Sequence, residues 1–132
     1  MSVRVRSQLI VVASSDSDEK NVGFQRNDTT LTSVIETFEV ESSGEAELAA
    51  SEADYALPMG KVFTGNLLYI ETDKELTVKL DGEAVGHTLG APSTGLRAKL
   101  YLRSEFTSAP LLTNVDAVNA ASVSYFIAGE KA

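Results

Sequence analysis

Few side chains in this sequence have the type and spacing to make or break a covalent bond. His87 is the single histidine, so any Ser-His-Asp relay would have to run through it. It sits in Val85-Gly86-His87-Thr88-Leu89 with no nucleophile motif beside it, and a surface or loop histidine is the expectation. Cysteine is absent, which removes thiol nucleophiles, disulfides and thiolate zinc sites. A metal site built from several histidines is excluded by the same kind of count. A carboxylate calcium site is not, and Asp16-Ser17-Asp18 is the pair whose spacing invites one. It lacks the third ligand and the glycine of an EF-hand loop, so it reads as a solvated acidic turn. The 19 acidic residues offer many carboxylate pairs of the kind glycosidases use, but no tryptophan is present to stack a sugar. The glycines are scattered as turn formers and none builds a phosphate cradle. The reading is a protein that is not an enzyme, with no catalytic residue, cofactor or metal.

Binding chemistry has two candidates. Arg97, Lys99, Tyr101 and Arg103 alternate with apolar residues and form a basic stripe carrying an aromatic. Such a row suits an acidic partner, including neighbouring copies of this acidic chain; its plain alternative is a solvated strand face. The second candidate is the N-terminal stretch, where Val3, Val5, Leu9 and Ile10 are the apolar contacts of an arm over residues 1–13. An arm of this kind can add itself to a neighbour's sheet through main-chain hydrogen bonds. The net charge of −8 argues against nucleic acid, whose binding begins with clustered lysine and arginine releasing counterions. No run approaches the roughly 18 apolar residues that span a bilayer. Leu9 to Ala13 is too short for a signal-peptide core, so a strand is expected there.

The elements that must hold these residues are strands. Leu96 to Arg103 alternates strictly, with Leu96, Ala98, Leu100 and Leu102 on a dry face. Glu75 to Leu80 alternates too, with Leu76, Val78 and Leu80 inward, and Asp81-Gly82 follows as a tight-hairpin signal. Val62 to Glu71 and Ala121 to Ala128 are further strands, the last with Val123, Tyr125 and Ile127 on one face, and Leu111 to Asn114 is a short strand or extended piece. Leu31 to Glu41 fits a helical stripe or a strand, and its β-branched content favours the strand. Ser42-Ser43-Gly44 reads as the turn after it. Glu45 to Leu57 has the composition of a helix, with a Ser42/Glu45 capping-box spacing, yet its alternation among β neighbours favours a strand and then a loop. Loops are expected at Ser14 to Asn21, Glu83 to Gly95 and Asp116 to Ala120, and a turn at Asn27-Asp28. Eight or nine short strands with turns between them predict an all-β, single-domain antiparallel β-sandwich, jelly-roll-like, over residues 1–132. A chain of 132 residues buries roughly 68% of its unfolded surface, enough for a core without staples.

One region resembles a known family. Asp54-Tyr55-Ala56-Leu57-Pro58-Met59-Gly60-Lys61-Val62 runs into Leu67 to Gly82, with Leu112-Thr113-Asn114 and Val123 to Gly129 later in the chain. This succession, over about residues 53–129, resembles small β-sandwich structural proteins of tailed-bacteriophage virions. The resemblance implies a non-enzymatic capsid decoration or cement protein on the assembled head, homo-oligomeric, with the major capsid protein or other virion proteins as partners. A tail or head-to-tail connector protein is the alternative, and a carbohydrate- or host-binding sandwich module a second one. The resemblance assigns no functional residue, because the shared pattern is turns and strands.

Overall fold

Every described regular element is a β-strand, as the period-two alternation requires. The structure is a computed structural model, and it describes residues 2–8, 11–14, 22–26 and 33–132. Expectations on Leu9, Ile10, Asp16, Asp18, the Ser14 to Asn21 loop beyond Ser14 and the Asn27-Asp28 turn lie outside the described residues. The strands are β1 (Val3–Gln8), β2 (Val11–Ser14), β3 (Val22–Arg26), β4 (Ser33–Phe38), β5 (Val40–Leu48) and β6 (Tyr55–Ala56). They continue with β7 (Thr64–Thr72), β8 (Leu76–Lys79), β9 (His87–Leu89), β10 (Ala98–Leu102), β11 (Leu111–Asn114) and β12 (Ala121–Glu130).

The chain divides into two compact units, Ser2–Phe38 and Glu39–Ala132. In the first, β1 pairs antiparallel with β4 from Val3↔Phe38 to Gln8↔Ser33, and β2 pairs with β3. The N-terminal stretch is therefore two strands rather than one, and each finds its partner within the chain. Val3, Val5 and Ser7 are half-buried while Arg4 and Arg6 are exposed, the alternation expected of a strand with one dry face.

The sandwich occupies the second unit. One sheet has the order β5-β12-β7-β10 and the other β6-β11-β8-β9. The pairs β5–β12, β6–β11, β7–β10 and β8–β9 are nested one inside another. A single antiparallel ribbon folded over on itself gives that nesting, and its connectivity is a jelly roll. The tip of the ribbon lies between β8 and β9. There Asp81 (φ 45°) and Gly82 (φ 76°) make the turn that the Asp-Gly pair predicts, closed by Glu83 N–H donating to Leu80 O at 3.0 Å.

Inward residues from both sheets form one core: Leu48, Leu68, Ile70, Leu76, Val78, Leu89, Leu112, Val123, Tyr125 and Ile127, with Leu57, Leu80 and Phe106 from connections. The inward sets expected for β8 and β12 are buried as read. Two buried polar residues are satisfied locally. Thr72 Oγ1 donates to Lys74 O (3.0 Å) and accepts from Lys74 N–H (3.1 Å). Asn114 Nδ2 donates to Ala49 O (3.0 Å) and Asn119 O (2.9 Å), and its Oδ1 accepts from Asp116 N–H (3.0 Å). Asn114 thereby ties the end of β5 to the β11–β12 connection.

Four expectations need correction. Ser42-Ser43-Gly44 is not a turn but the middle of β5, paired opposite Ile127, Phe126 and Tyr125. The Tyr125 hydroxyl lies 3.1 Å from where a Gly44 Cβ would be, so the ring covers the glycine and the strand runs through. β10 starts at Ala98, because a turn closed by Leu96 N–H to Ser93 O (2.9 Å), with Gly95 at φ 82°, leaves Leu96 outside the strand. Leu96 is 64% exposed, and Ala98, Leu100 and Leu102 are half-buried because β10 is an edge strand. The Glu83 to Gly95 loop contains β9, a short edge strand that three residues could not announce. β12 runs to Glu130 rather than ending at Ala128, since Glu130 pairs with Thr64 and its carbonyl accepts from Phe63 N–H at 2.8 Å.

Phe106 packs on Gly65, and a Cβ at Gly65 would lie 2.2 Å from the Phe106 ring. Gly65→Ala is expected to displace that fully buried ring and cost about 1–3 kcal/mol. Gly90→Ala, with nothing within 4 Å, should stay within about 0.5 kcal/mol of wild type. Urea unfolding of the two variants checks this, and equal midpoints would refute the packing.

Candidate functional site

The register of the β5-β12-β7-β10 sheet decides which side chains share its outer face. Val123, Tyr125 and Ile127 point into the core, so alternation sends Ser122, Ser124, Phe126 and Ala128 outward. Reading across the strand pairings, Lys99, Glu71, Ser124 and Glu45 form one transverse row. Tyr101, Tyr69, Phe126 and Ser43 form the next. On β5, Glu41, Ser43, Glu45 and Glu47 are exposed and share this face. The outer face thus runs from a basic edge at β10, across an aromatic strip, to an acidic edge at β5.

Glu71 is the electrostatic centre of the basic side. Its carboxylate lies 3.5 Å from Arg97 Nε and 3.8 Å from Lys99 Nζ, and it accepts the Tyr69 hydroxyl at 2.5 Å. Burial, then the hydrogen bond to the Glu71 carboxylate, pushes the Tyr69 phenol up to about 12. Arg97 Nη2 donates to Glu71 O (3.1 Å), Ser122 O (3.3 Å) and Ser124 Oγ (3.4 Å), lying across β7 and β12. Arg97 Nε is buried and has no hydrogen-bond partner despite its 3.5 Å ionic contact; the approach of charge is real, the bond geometry is not. Pairs that water still reaches contribute about 0–1 kcal/mol each, so they organise the face more than they stabilise it.

The structure brings three of the four stripe residues to this surface in different roles. Arg97 is held against the sheet, Lys99 is 64% exposed at the side chain, and Tyr101 is 45% exposed opposite Tyr69. Arg103, one residue past β10, donates through Nη1 to Asn66 O at 2.8 Å. Of the arm residues, Val3 and Val5 lie in β1 opposite Phe38 and Glu36; Leu9 and Ile10 are not described. The sequence reading missed Tyr69, Glu71, Phe126 and the β5 glutamates. Their signal was the polar half of each alternation, but which halves meet depends on register.

A second feature is an open cleft of about 370 Å³ lined by Leu80, Asp81, Glu83, His87, Leu102, Ser104 and Glu105. His87 is exposed on β9, as expected. Asp81 accepts from Thr107 N–H (2.9 Å), Ser108 N–H (2.9 Å) and Ser108 Oγ (2.9 Å), anchoring the segment after β10. Those hydrogen bonds, the Ser108 amide first, hold the Asp81 carboxyl below its ordinary 3.8. Among the described residues no group of three or more His, Asp or Glu has metal-binding geometry. Comparison with protein-family models, curated proteins and solved structures finds no match to this chain.

Two titrations follow from these contacts. Tyr69, with a phenol pushed up to about 12, should ionise well above the ordinary 10, and Tyr69→Phe should delete that late component from an ultraviolet titration. A titration whose late component survives Tyr69→Phe refutes the assignment. Asp81, lowered when folded, adds stability that is complete above its unfolded value of about 3.9 and is lost as pH falls through the lower folded value. Asp81→Asn is therefore expected to destabilise near neutrality and to match wild type in strong acid; a deficit independent of pH would contradict this.

Proposed function

We propose that this chain is a non-enzymatic structural protein of a tailed-bacteriophage virion, a decoration or cement protein bound to the outside of the assembled head. The observation that carries the reading is the jelly-roll order of β5 to β12, an architecture that viral capsid proteins use repeatedly. It agrees with the resemblance of residues 53–129 to small phage virion proteins. An acidic sandwich without cysteine, charge −8, suits a soluble subunit added to a finished shell. The partner is the major capsid protein, and placement in the tail or head-to-tail connector is the alternative within the same class.

A second reading has its own observation. Jelly rolls also serve lectins, and the Tyr101–Tyr69–Phe126 strip offers an aromatic surface on one sheet face. A carbohydrate-binding module would use that strip.

Quantitative mass spectrometry of purified virions, measured against the shell protein, tests the proposal. A copy number equal to the shell protein or a simple fraction of it is the expected result. A handful to a few dozen copies would move the protein to the connector or tail, and absence would overturn the reading. Strong signals on a glycan array, lost in Tyr101→Ala, would promote the second reading.

A further inference from the structure

We infer that the outer face of the β6-β11-β8-β9 sheet is a two-fold contact, and that its partner is the same face of a second copy of this chain. The inference rests on that face alone and holds wherever the protein resides. Leu76, Val78, Leu112 and Asn114 are buried, so alternation turns Glu75, Thr77 and Lys79 outward beside Leu111, Thr113 and Val115. The register sets Lys79 beside Leu111 and Thr77 beside Thr113. Val115 N–H, donating to Glu75 O at 3.3 Å, carries that register one pair further. None of these six residues is buried, and Val115 is 47% exposed. Thr88 on β9 lies opposite Thr77 and extends the threonine row.

Four of the six side chains are uncharged, the charge depletion that marks the centre of an interface. The two charges that remain are unused within the chain. Lys79 and Glu75 lie four residues apart on one strand face, about 13 Å at the rise of a strand, too far to pair. Their neighbours on the β11 side are Leu111 and Val115. On the β9 side the Lys79 stem runs beside Gly86, its Cγ 2.8 Å from where a Cβ there would be. Among the described residues neither Lys79 nor Glu75 enters an ion pair.

A two-fold axis along the threonine row satisfies both charges at once. It lies between the two faces, perpendicular to β8, and stacks β8 and β11 on their own counterparts in reverse. Lys79 then meets the second copy's Glu75, and Glu75 meets its Lys79. Leu111 meets Val115, and Thr77 and Thr113 each meet themselves. A two-fold axis parallel to the strands does worse. Placed on β8 it sets lysine on lysine and glutamate on glutamate, and placed between β8 and β11 it sets both charges on leucine and valine. Like or unpaired charges disfavour both arrangements. Sheets stacked face to face lie about 10 Å apart with strands within about 30° of one another, a gap that a lysine and a glutamate bridge between them. Asp54 N–H donates to Thr113 Oγ1 at 3.2 Å, which places the exposed Asp54 at the solvated rim, where charges count little. The face is small and the net charge of −8 opposes association at long range, so the dimer is weak and concentration-dependent. An isologous contact of this kind closes at two subunits.

Sedimentation equilibrium of the full chain at physiological ionic strength, over rising protein concentration, tests the contact. Wild type is expected to pass from monomer to dimer and no further. Lys79→Glu alone and Glu75→Lys alone each set like charges together twice per dimer, and should weaken dimerisation roughly tenfold or more. An equimolar mixture of the two should recover it, and so should a chain carrying both changes. Thr77→Arg, on the axis and therefore facing itself, should weaken dimerisation as much, and it repeats the test should a reversal variant fail to fold by circular dichroism. A wild type that stays monomeric to its solubility limit overturns the proposal, as does association that continues past the dimer. So do folded single variants that dimerise as wild type does, or a mixture or double variant that does not recover.

Discussion

β12 is hydrogen-bonded along both edges, to β5 over Val40–Leu48 and to β7 over Thr64–Thr72, and the sandwich cannot close until it is placed. The strand it joins to the rest of the sheet lies far away in sequence, with Ala121 opposite Leu48. Loop closure of that kind must be met before the contacts reward it. What rewards it is the inward row Val123, Tyr125 and Ile127, buried against residues of both sheets. A β-bulge between Ala128 and Gly129 adjusts the far end, where a Cβ on Gly129 would lie 2.0 Å from Thr64 O. The close backbone approach there is possible only for glycine.

Polar anchors hold the connections that the ribbon cannot hydrogen-bond for itself. Asn114 reaches Ala49 and Asn119 from inside the fold, and Asp116 caps the next turn through Val118 N–H (2.8 Å) and Asn119 N–H (2.9 Å). The amide hydrogen bonds, that of Val118 first, hold the Asp116 carboxyl below its ordinary range. Asp81 does the same for the segment after β10 while also forming the ribbon's tip turn. Three short side chains thus fix both ends of the sandwich. The edges between those ends are left to charge, which blunts like-with-like pairing as edge strands require.

The outer face of the β5-β12-β7-β10 sheet carries cations at one edge, aromatics in the middle and glutamates at the other, an order that makes it polar in the vector sense. The aromatic strip is half-buried at Tyr69 and Phe126 and open at Tyr101, so its capacity for stacking is concentrated at the β10 edge.

The strands at Leu76–Lys79 and Leu111–Asn114, the Asp81-Gly82 turn and the inward set of β12 were legible because they are local. Alternation is imposed by the geometry of a single strand, and positive φ by the residues of a single turn. Local patterns misled where an edge or a partner intervened. Ser42-Ser43-Gly44 has turn composition, yet β12 holds it extended and Tyr125 covers its glycine. Leu96 continues the β10 alternation, yet the Ser93–Leu96 turn leaves it in solvent. By itself the sequence determined the all-β class, the dry and wet halves of most strands and the tip of the ribbon. The tertiary structure alone decided that Lys99, Glu71, Ser124 and Glu45 share a row, because register is set by pairings between strands that the chain holds far apart.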